Sequence, residues 1–167
     1  IKEKYPSAPV GISHNCTVFA AENIAGKLSA KVLDLIYMDY AASLFTTTDF
    51  FGMSYYARIS HDPFPITYIL TPEKIKRLGK DHDDMWEYYP IGLKQCIQRF
   101  WESYQKPVVI TENGICTDDD SKRIQAIGDY LQIIHECIRA GIDVRGYYHW
   151  STWDNFEWSL GPSYKFG

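Results

Sequence analysis

Two kinds of hydrophobic pattern alternate along the chain. Short apolar runs bounded by turn residues lie at 9–14, 49–56, 107–111 and 144–150 and predict strands. In Asp49-Phe50-Phe51-Gly52-Met53-Ser54-Tyr55-Tyr56 and in Pro107-Val108-Val109-Ile110-Thr111 the apolar residues occupy both faces, the pattern of a parallel strand covered on each side. Helix-period segments fall between these runs. Leu28, Val32, Leu35 and Ile36 carry the period of a helix over 28–44. A long loop with Pro63 and Pro65 follows the second strand. Thr71 before Pro72 then predicts an N-cap with proline in the first helical position, opening a short helix through Leu78. Pro90 opens another, with Leu93, Cys96, Ile97, Phe100, Trp101 and Tyr104 on one apolar face. Asp118, Asp119 and Asp120 start a further helix in which Ile124, Ile127, Leu131, Ile134 and Ile138 face the core, and Gly141 terminates it.

Strand then helix, repeated without a hairpin signal, predicts an α/β fold with a parallel sheet of βα units. No G-x-G-x-x-G and no phosphate-binding P-loop follows any strand, so a nucleotide-binding open sheet lacks its usual support. Three strands end instead in polar and aromatic clusters: Tyr55-Tyr56, Glu112-Asn113, and Trp150-Ser151 running on to Glu157-Trp158. Function gathers at the ends of strands in a (β/α)8 TIM barrel, which is therefore the expected architecture.

Composition narrows the function. At 167 residues, 46% hydrophobic and 16% aromatic, the chain is one ordinary domain and not a disordered segment. Seventeen Lys and Arg against 21 Asp and Glu give a net charge of −4, so no basic field exists to hold nucleic acid. No stretch approaches the roughly 20 consecutive apolar residues of a membrane span. Cys16, Cys96, Cys116 and Cys137 form no C-x-x-C pair and sit among apolar neighbours, which predicts buried thiols and a reducing, cytoplasmic setting. The opening Ile1-Lys2-Glu3-Lys4-Tyr5-Pro6 has neither initiator Met nor apolar signal core and reads as a start inside a longer protein.

Glu112 is the sharpest candidate because it directly follows an apolar strand and is flanked by Thr111 and Asn113, two hydrogen-bond donors. The plainer reading is a loop acid capping a turn at Gly114. Asp154 and Glu157 are interleaved with Trp150, Trp153, Phe156 and Trp158. A sugar site needs this mixture, carboxylates and amides for hydroxyls and flat rings for the apolar faces of a pyranose. His149 reads as a strand histidine satisfied by backbone, and His14 and Asn15 as rim residues without assigned chemistry. Asp81, Asp83, Asp84 and the run 118–120 lack EF-hand spacing and read as solvated loops and a helix start. Arg58, Lys74, Lys76, Arg77 and Lys80 read as an exposed helix face.

Val109-Ile110-Thr111-Glu112-Asn113-Gly114 resembles the nucleophile motif of family 1 glycoside hydrolases, the β-glucosidase family. Trp150-Ser151 with Asp154-Asn155-Phe156-Glu157-Trp158 is similar to that family's C-terminal signature. Residues 49–56 resemble its strand 6, and Trp86-Glu87-Tyr88-Tyr89-Pro90-Ile91-Gly92-Leu93 the segment leading into the next helix. The resemblance places residues 1–167 as the C-terminal half of a single barrel, about strands 5 to 8. It implies a retaining β-glycosidase acting on a β-glycoside or oligosaccharide, without metal or cofactor, through a covalent glycosyl-enzyme intermediate. Glu112 would be the nucleophile, and Tyr56 would hydrogen-bond it to keep it ionised and oriented. Glu157 and Trp158 would bind glycone hydroxyls, Trp150 would lie under the sugar, and Phe166 would wall the pocket.

Ser54, Pro162 and Lys165 depart from the family pattern and bear on loop shape and substrate preference. A larger departure is that the family takes its acid/base from a T-x-N-E-P motif, and no Asn-Glu dipeptide occurs in this chain. Glu157 does not replace it, because the family gives that residue a hydroxyl-binding role. The resemblance therefore implies an N-terminal half of the barrel as partner, in the same protein or another chain. The competing expectations are a sugar-binding module without turnover and an inactive structural fragment.

Overall fold

The computed structural model describes residues 1–62, 68, 69 and 71–167. Four strands build the main sheet: β1 (Gly11–Ala20), β2 (Phe50–Asp62), β4 (Val108–Asn113) and β5 (Val144–His149). They lie in the order β1-β2-β4-β5, and every neighbouring pair is parallel. A two-residue strand, β3 (Tyr68–Ile69), adds antiparallel to the end of β2. Pro63, Pro65 and the loop around them lie largely outside the described residues.

Helices supply the crossovers, as parallel pairing demands. α1 (Ile24–Leu33) continues through a π-helical stretch at Asp34–Tyr40 into a last turn, α2 (Ala41–Ser43), and joins β1 to β2. Asn23 caps α1 by accepting the N–H of Gly26 at 2.7 Å. α3 (Pro72–Arg77) and α4 (Ile91–Tyr104) lie between β2 and β4, and α5 (Asp120–Arg139) between β4 and β5. Thr71 and Asp119 hold the N-cap positions of α3 and α5, and Asp119 accepts the N–H groups of Ser121 and Lys122.

One core lies between the sheet and the helices. Cys16, Phe51, Met53, Tyr55, Val108 and Ile110 from the strands meet Met38, Leu93, Ile97, Phe100, Tyr130 and Ile134 from the helices. Phe51 stacks on Phe100 at 4.1 Å between ring centroids. The opposite face of the sheet is open, with Ser13 and Asn15 exposed. Helices on one face and an uncovered concave face make this a partial (β/α)8 barrel.

Several expectations change. β1 runs to Ala20, so His14 and Asn15 lie within the strand and not at its rim. His14 points to the helix side, where it packs against Tyr37, Phe51 and Phe100. Leu28, Val32, Leu35 and Ile36 are exposed, and Gly26, Ala30, Met38 and Ala42 are the buried residues of that helical stretch. In α5, Ile124, Leu131 and Ile138 are exposed, while Ala126, Tyr130, Ile133, Ile134 and Cys137 are buried. Arg58 is no helix residue: it lies in β2, ion-paired with the buried Glu87 and stacked on Tyr89 at 3.9 Å from the ring centroid. All four cysteines are buried and free.

Candidate active site

Glu112 is the penultimate residue of β4, at the carboxyl ends of β4 and β5 and level with Ser54 of β2, while β1 and β2 run on past it. The register slips at this point, with Met53 opposite Ile110 but Ser54 opposite Glu112, so one extra residue bulges beside the carboxylate. Thr111 takes the extra position and pairs its hydroxyl with Ser13 at 2.5 Å. Asn113, fully buried, donates to the Tyr55 carbonyl at 2.7 Å and accepts from the Tyr147 hydroxyl at 3.2 Å. Among the described residues neither flanking residue holds Glu112, contrary to the sequence expectation, because Thr111 bonds across β2 to β1 and Asn113 bonds to β2 and β5.

Tyr56 holds it instead. The Tyr56 hydroxyl donates to Glu112 Oε2 at 2.8 Å from the adjacent strand β2. Burial, the hydrogen bond to Glu112 and the nearby Glu112 and Glu157 carboxylates all push the Tyr56 phenol up, so it stays a donor. Its ring is fixed by two others. Phe166 meets it edge-on at 5.9 Å and Trp86 at 5.7 Å, and Trp86 and Phe166 lie 6.3 Å apart. Phe166 is buried, and its carbonyl accepts the N–H of Ser151 at 3.0 Å, which ties the chain end to the residue after Trp150.

The second cluster follows β5. Trp150 donates its indole N–H to Glu157 Oε1 at 3.4 Å, and both are half-buried. Gly114 locks this cluster to the first. A Cβ there would lie 1.7 Å from the Trp150 carbonyl oxygen, so the backbones leaving β4 and β5 touch. Trp158 is 88% exposed and Trp153 79% exposed, and neither joins the ring packing among the described residues. Glu112, Tyr56 and Phe166 are thus in one cluster, Trp150 and Glu157 in an adjoining one, and Trp158 stands apart on the surface.

Trp86 escapes sequence reasoning as a site residue, as does the group that fixes it. Asp83 is buried, not a solvated loop acid. Its Oδ1 accepts the N–H of Trp86 at 2.6 Å and of Met85 at 2.7 Å, and its Oδ2 that of Cys116 at 3.1 Å. Burial nevertheless leaves its carboxyl above the usual range. An acid two residues before a chain reversal is the one signal that points to this role. His149 sits 3.4 Å from the Tyr147 hydroxyl through Nδ1, and burial first, then the Arg123 charge, lowers its pKa.

A carboxylate near the carboxyl end of a parallel strand, hydrogen-bonded by a tyrosine and bordered by indole rings and a second carboxylate, offers the mixture of polar groups and flat rings that a hydroxylated ligand needs at the strand ends of a (β/α)8 barrel. The chain belongs to glycosyl hydrolase family 1, whose family model matches residues 2–167. A beta-galactosidase of Sulfolobus acidocaldarius is 34% identical over 128 residues, covering 71% of this chain and 26% of that protein. Beta-glucosidase A of Acetivibrio thermocellus is 34% identical over 131 residues, covering 71% and 29%. Among solved structures, Fpglu1 from Fervidobacterium pennivoraus superposes with TM-score 0.83 at 30% identity, covering 99% of this chain and 40% of that one. A beta-glycosidase from Pyrococcus horikoshii gives 0.79 at 26% identity, covering 99% and 44%. The chain therefore spans between 26% and 44% of the length of these relatives. No helix among the described residues is long and apolar enough to cross a membrane.

Proposed function

We propose that this chain is the C-terminal half of a retaining β-glycosidase barrel, supplying about strands 5 to 8 with the nucleophile and the glycone subsite. The hydrogen bond from Tyr56 to Glu112 at the carboxyl end of β4 carries the reading. A carboxylate so placed has one oxygen oriented by a neutral donor and the other free to attack. In the first step an oxygen of Glu112 bonds to the anomeric carbon while the bond to the leaving oxygen breaks, and an acid/base carboxyl protonates that oxygen. In the second step the same acid/base takes a proton from water, water attacks the anomeric carbon, and Glu112 is released.

In this reading Trp150 lies under the pyranose, Glu157 takes its hydroxyls, Phe166 closes the wall, and Trp158, exposed at the open rim, meets a hydroxyl only from the solvent side. The acid/base belongs to an N-terminal half, since this chain lacks the motif that carries it. A β-linked glucoside or galactoside as substrate is supported by the names of the Acetivibrio and Sulfolobus relatives. Without the other half, the exposure of Trp153 and Trp158 favours a chain that binds sugar weakly and turns nothing over. The test is a 2-fluoro aryl β-glucoside given to the chain combined with an N-terminal half-barrel. Intact-mass and peptide analysis are expected to find the sugar on Glu112. An active preparation with no adduct there, or an active Glu112→Ala variant, rules the assignment out.

A further inference from the structure

Resting on the proposed reading of Glu112 as nucleophile, we infer that Thr17, Asn113 and Tyr130 are positioning residues, which cap three consecutive carbonyls of a second bulge and so aim the Tyr56 hydroxyl at Glu112. The bulge is visible in the register of β1 on β2. Cys16 stands opposite Tyr55 but Val18 opposite Arg58, so Thr17 alone faces Tyr56 and Ala57. The side chains report the same extra residue. Tyr55 and Arg58, three apart, both reach Tyr89, the first by donating to its carbonyl at 2.6 Å and the second over its ring at 3.9 Å from the centroid. A regular strand, with its period of two, would send them to opposite faces. Donor and acceptor of the bond from Tyr56 to Glu112 thus each sit at a bulge, one in β2 and one in β4.

A bulge breaks the ladder locally and turns peptide groups away from their regular partners. Buried carbonyls so turned need other donors. Here three in a row each receive one from a different element. Asn113 of β4 donates its amide to the Tyr55 carbonyl at 2.7 Å, Tyr130 of α5 its hydroxyl to the Tyr56 carbonyl at 3.3 Å, and Thr17 of β1 its hydroxyl to the Ala57 carbonyl at 2.8 Å. All three donor residues are buried.

The Tyr55 and Tyr56 carbonyls belong to the two peptide groups that flank the Tyr56 Cα. Pinning both planes fixes the direction in which that side chain leaves the backbone. A one-residue slip in a strand sends each side chain to the other face, so relaxation of the bulge would turn Tyr56 away from Glu112. A role in stability alone has a different consequence: losing a donor would then weaken the fold and leave the bond from Tyr56 to Glu112 as it is.

Carbon NMR on the full chain, labelled with carbon-13 at the tyrosine ring carbon that bears the hydroxyl, separates the two. The Tyr56 signal is the one missing in Tyr56→Phe, and Glu112→Ala gives its position without the acceptor. Thr17→Val and Tyr130→Phe each remove one donor with little change of shape and are expected to move the signal at least half of the way to that position. Thr17→Ser, which keeps the hydroxyl, is expected to leave it near the native one. Ile134→Val removes buried volume from the same core, and it is expected to lower the thermal midpoint without moving the signal. Tyr130→Phe keeps its ring in place and carries the test should Thr17→Val not fold. An unmoved signal in the folded variants, an equal movement in Ile134→Val, or failure of both donor variants to fold overturns the inference.

Hydrolysis of an aryl β-glucoside by the chain combined with an N-terminal half-barrel is scored separately. Thr17→Val and Tyr130→Phe are expected to lower kcat by up to about 10²-fold with KM unchanged. An unchanged kcat beside a moved signal also overturns the positioning role. No hydrolysis even by the native chain, with the Tyr56 signal behaving as expected, defeats the nucleophile reading and spares the aiming of Tyr56.

Discussion

Asp83 grips Trp86 with one carboxylate oxygen and Cys116 with the other, joining the segment before α4 to the segment leaving β4. Trp86 in turn packs on the Tyr56 ring, whose hydroxyl reaches Glu112. One buried acid therefore fixes the backbone of Trp86, whose ring packs on the donor to Glu112, and also the chain just beyond Glu112 at Cys116.

Asp83→Asn keeps the shape but cannot accept all three N–H groups, and each buried donor left unmet costs about 1–3 kcal/mol. The sign of the pH dependence follows from burial. Asp83 titrates above its unfolded value, so its contribution is full below the unfolded pKa and is lost as pH rises through the folded one. Chemical denaturation of both proteins is expected to show a stability gap that is widest in acid and narrows above the usual carboxylate range. A gap that widens with pH would contradict this.

Tyr56→Phe removes the hydroxyl and nothing else. It is expected to lower kcat of the reconstituted enzyme by about 10²-fold, the usual scale for losing one oriented donor at a reacting charge. Stability should fall by only about 1 kcal/mol. Steady-state kinetics beside a thermal melt separates the two.

Two glycine substitutions should move in opposite directions. A Cβ at Gly52 would lie 2.2 Å from the Ile12 carbonyl oxygen and 3.0 Å from Thr111 Cγ2, so Gly52→Ala is expected to cost about 3 kcal/mol through overpacking. Gly128, within α5, would meet nothing within 4 Å, so Gly128→Ala should stabilise by about 1 kcal/mol. Urea midpoints for the pair give the comparison directly.

The thiols should be silent in the native state. Burial pushes Cys96 and Cys116 up to about 12 and raises Cys16 and Cys137 as well, which leaves little thiolate to react. Ellman's reagent is expected to titrate none rapidly in native buffer and all 4 in guanidinium.

Much of this architecture was readable from residue order. The apolar run at 107–111 marks an interior strand and that at 144–150 a further strand, and the acid after the first of them marks the candidate site. What periodicity could not supply is the direction of burial. The stripe from Leu28 to Ile36 has the spacing of a core face, yet Gly26, Ala30 and Ala42 lie against the sheet, where small residues let the helix approach closely. A helical period reports that a face is apolar and not what it packs against. Asn113 and Thr111 turn away from Glu112 for a related reason: the bulge in β4 decides which side chain reaches which strand, and composition carries no trace of it. Trp86 and Asp83 came to the site through long-range packing that local pattern does not encode.

The contact at Gly114 has a further consequence. Because the backbone leaving β4 abuts the Trp150 carbonyl, Glu112 and Trp150, the proposed nucleophile and sugar platform, ride on a single seam of backbone. Neither can be shifted to suit a larger or smaller pyranose without dragging the other along. On the proposed reading, adaptation to a new glycoside falls on exposed side chains beyond the seam, Trp153, Phe156 and Leu160, where substitutions leave the spacing of Glu112 and Trp150 untouched.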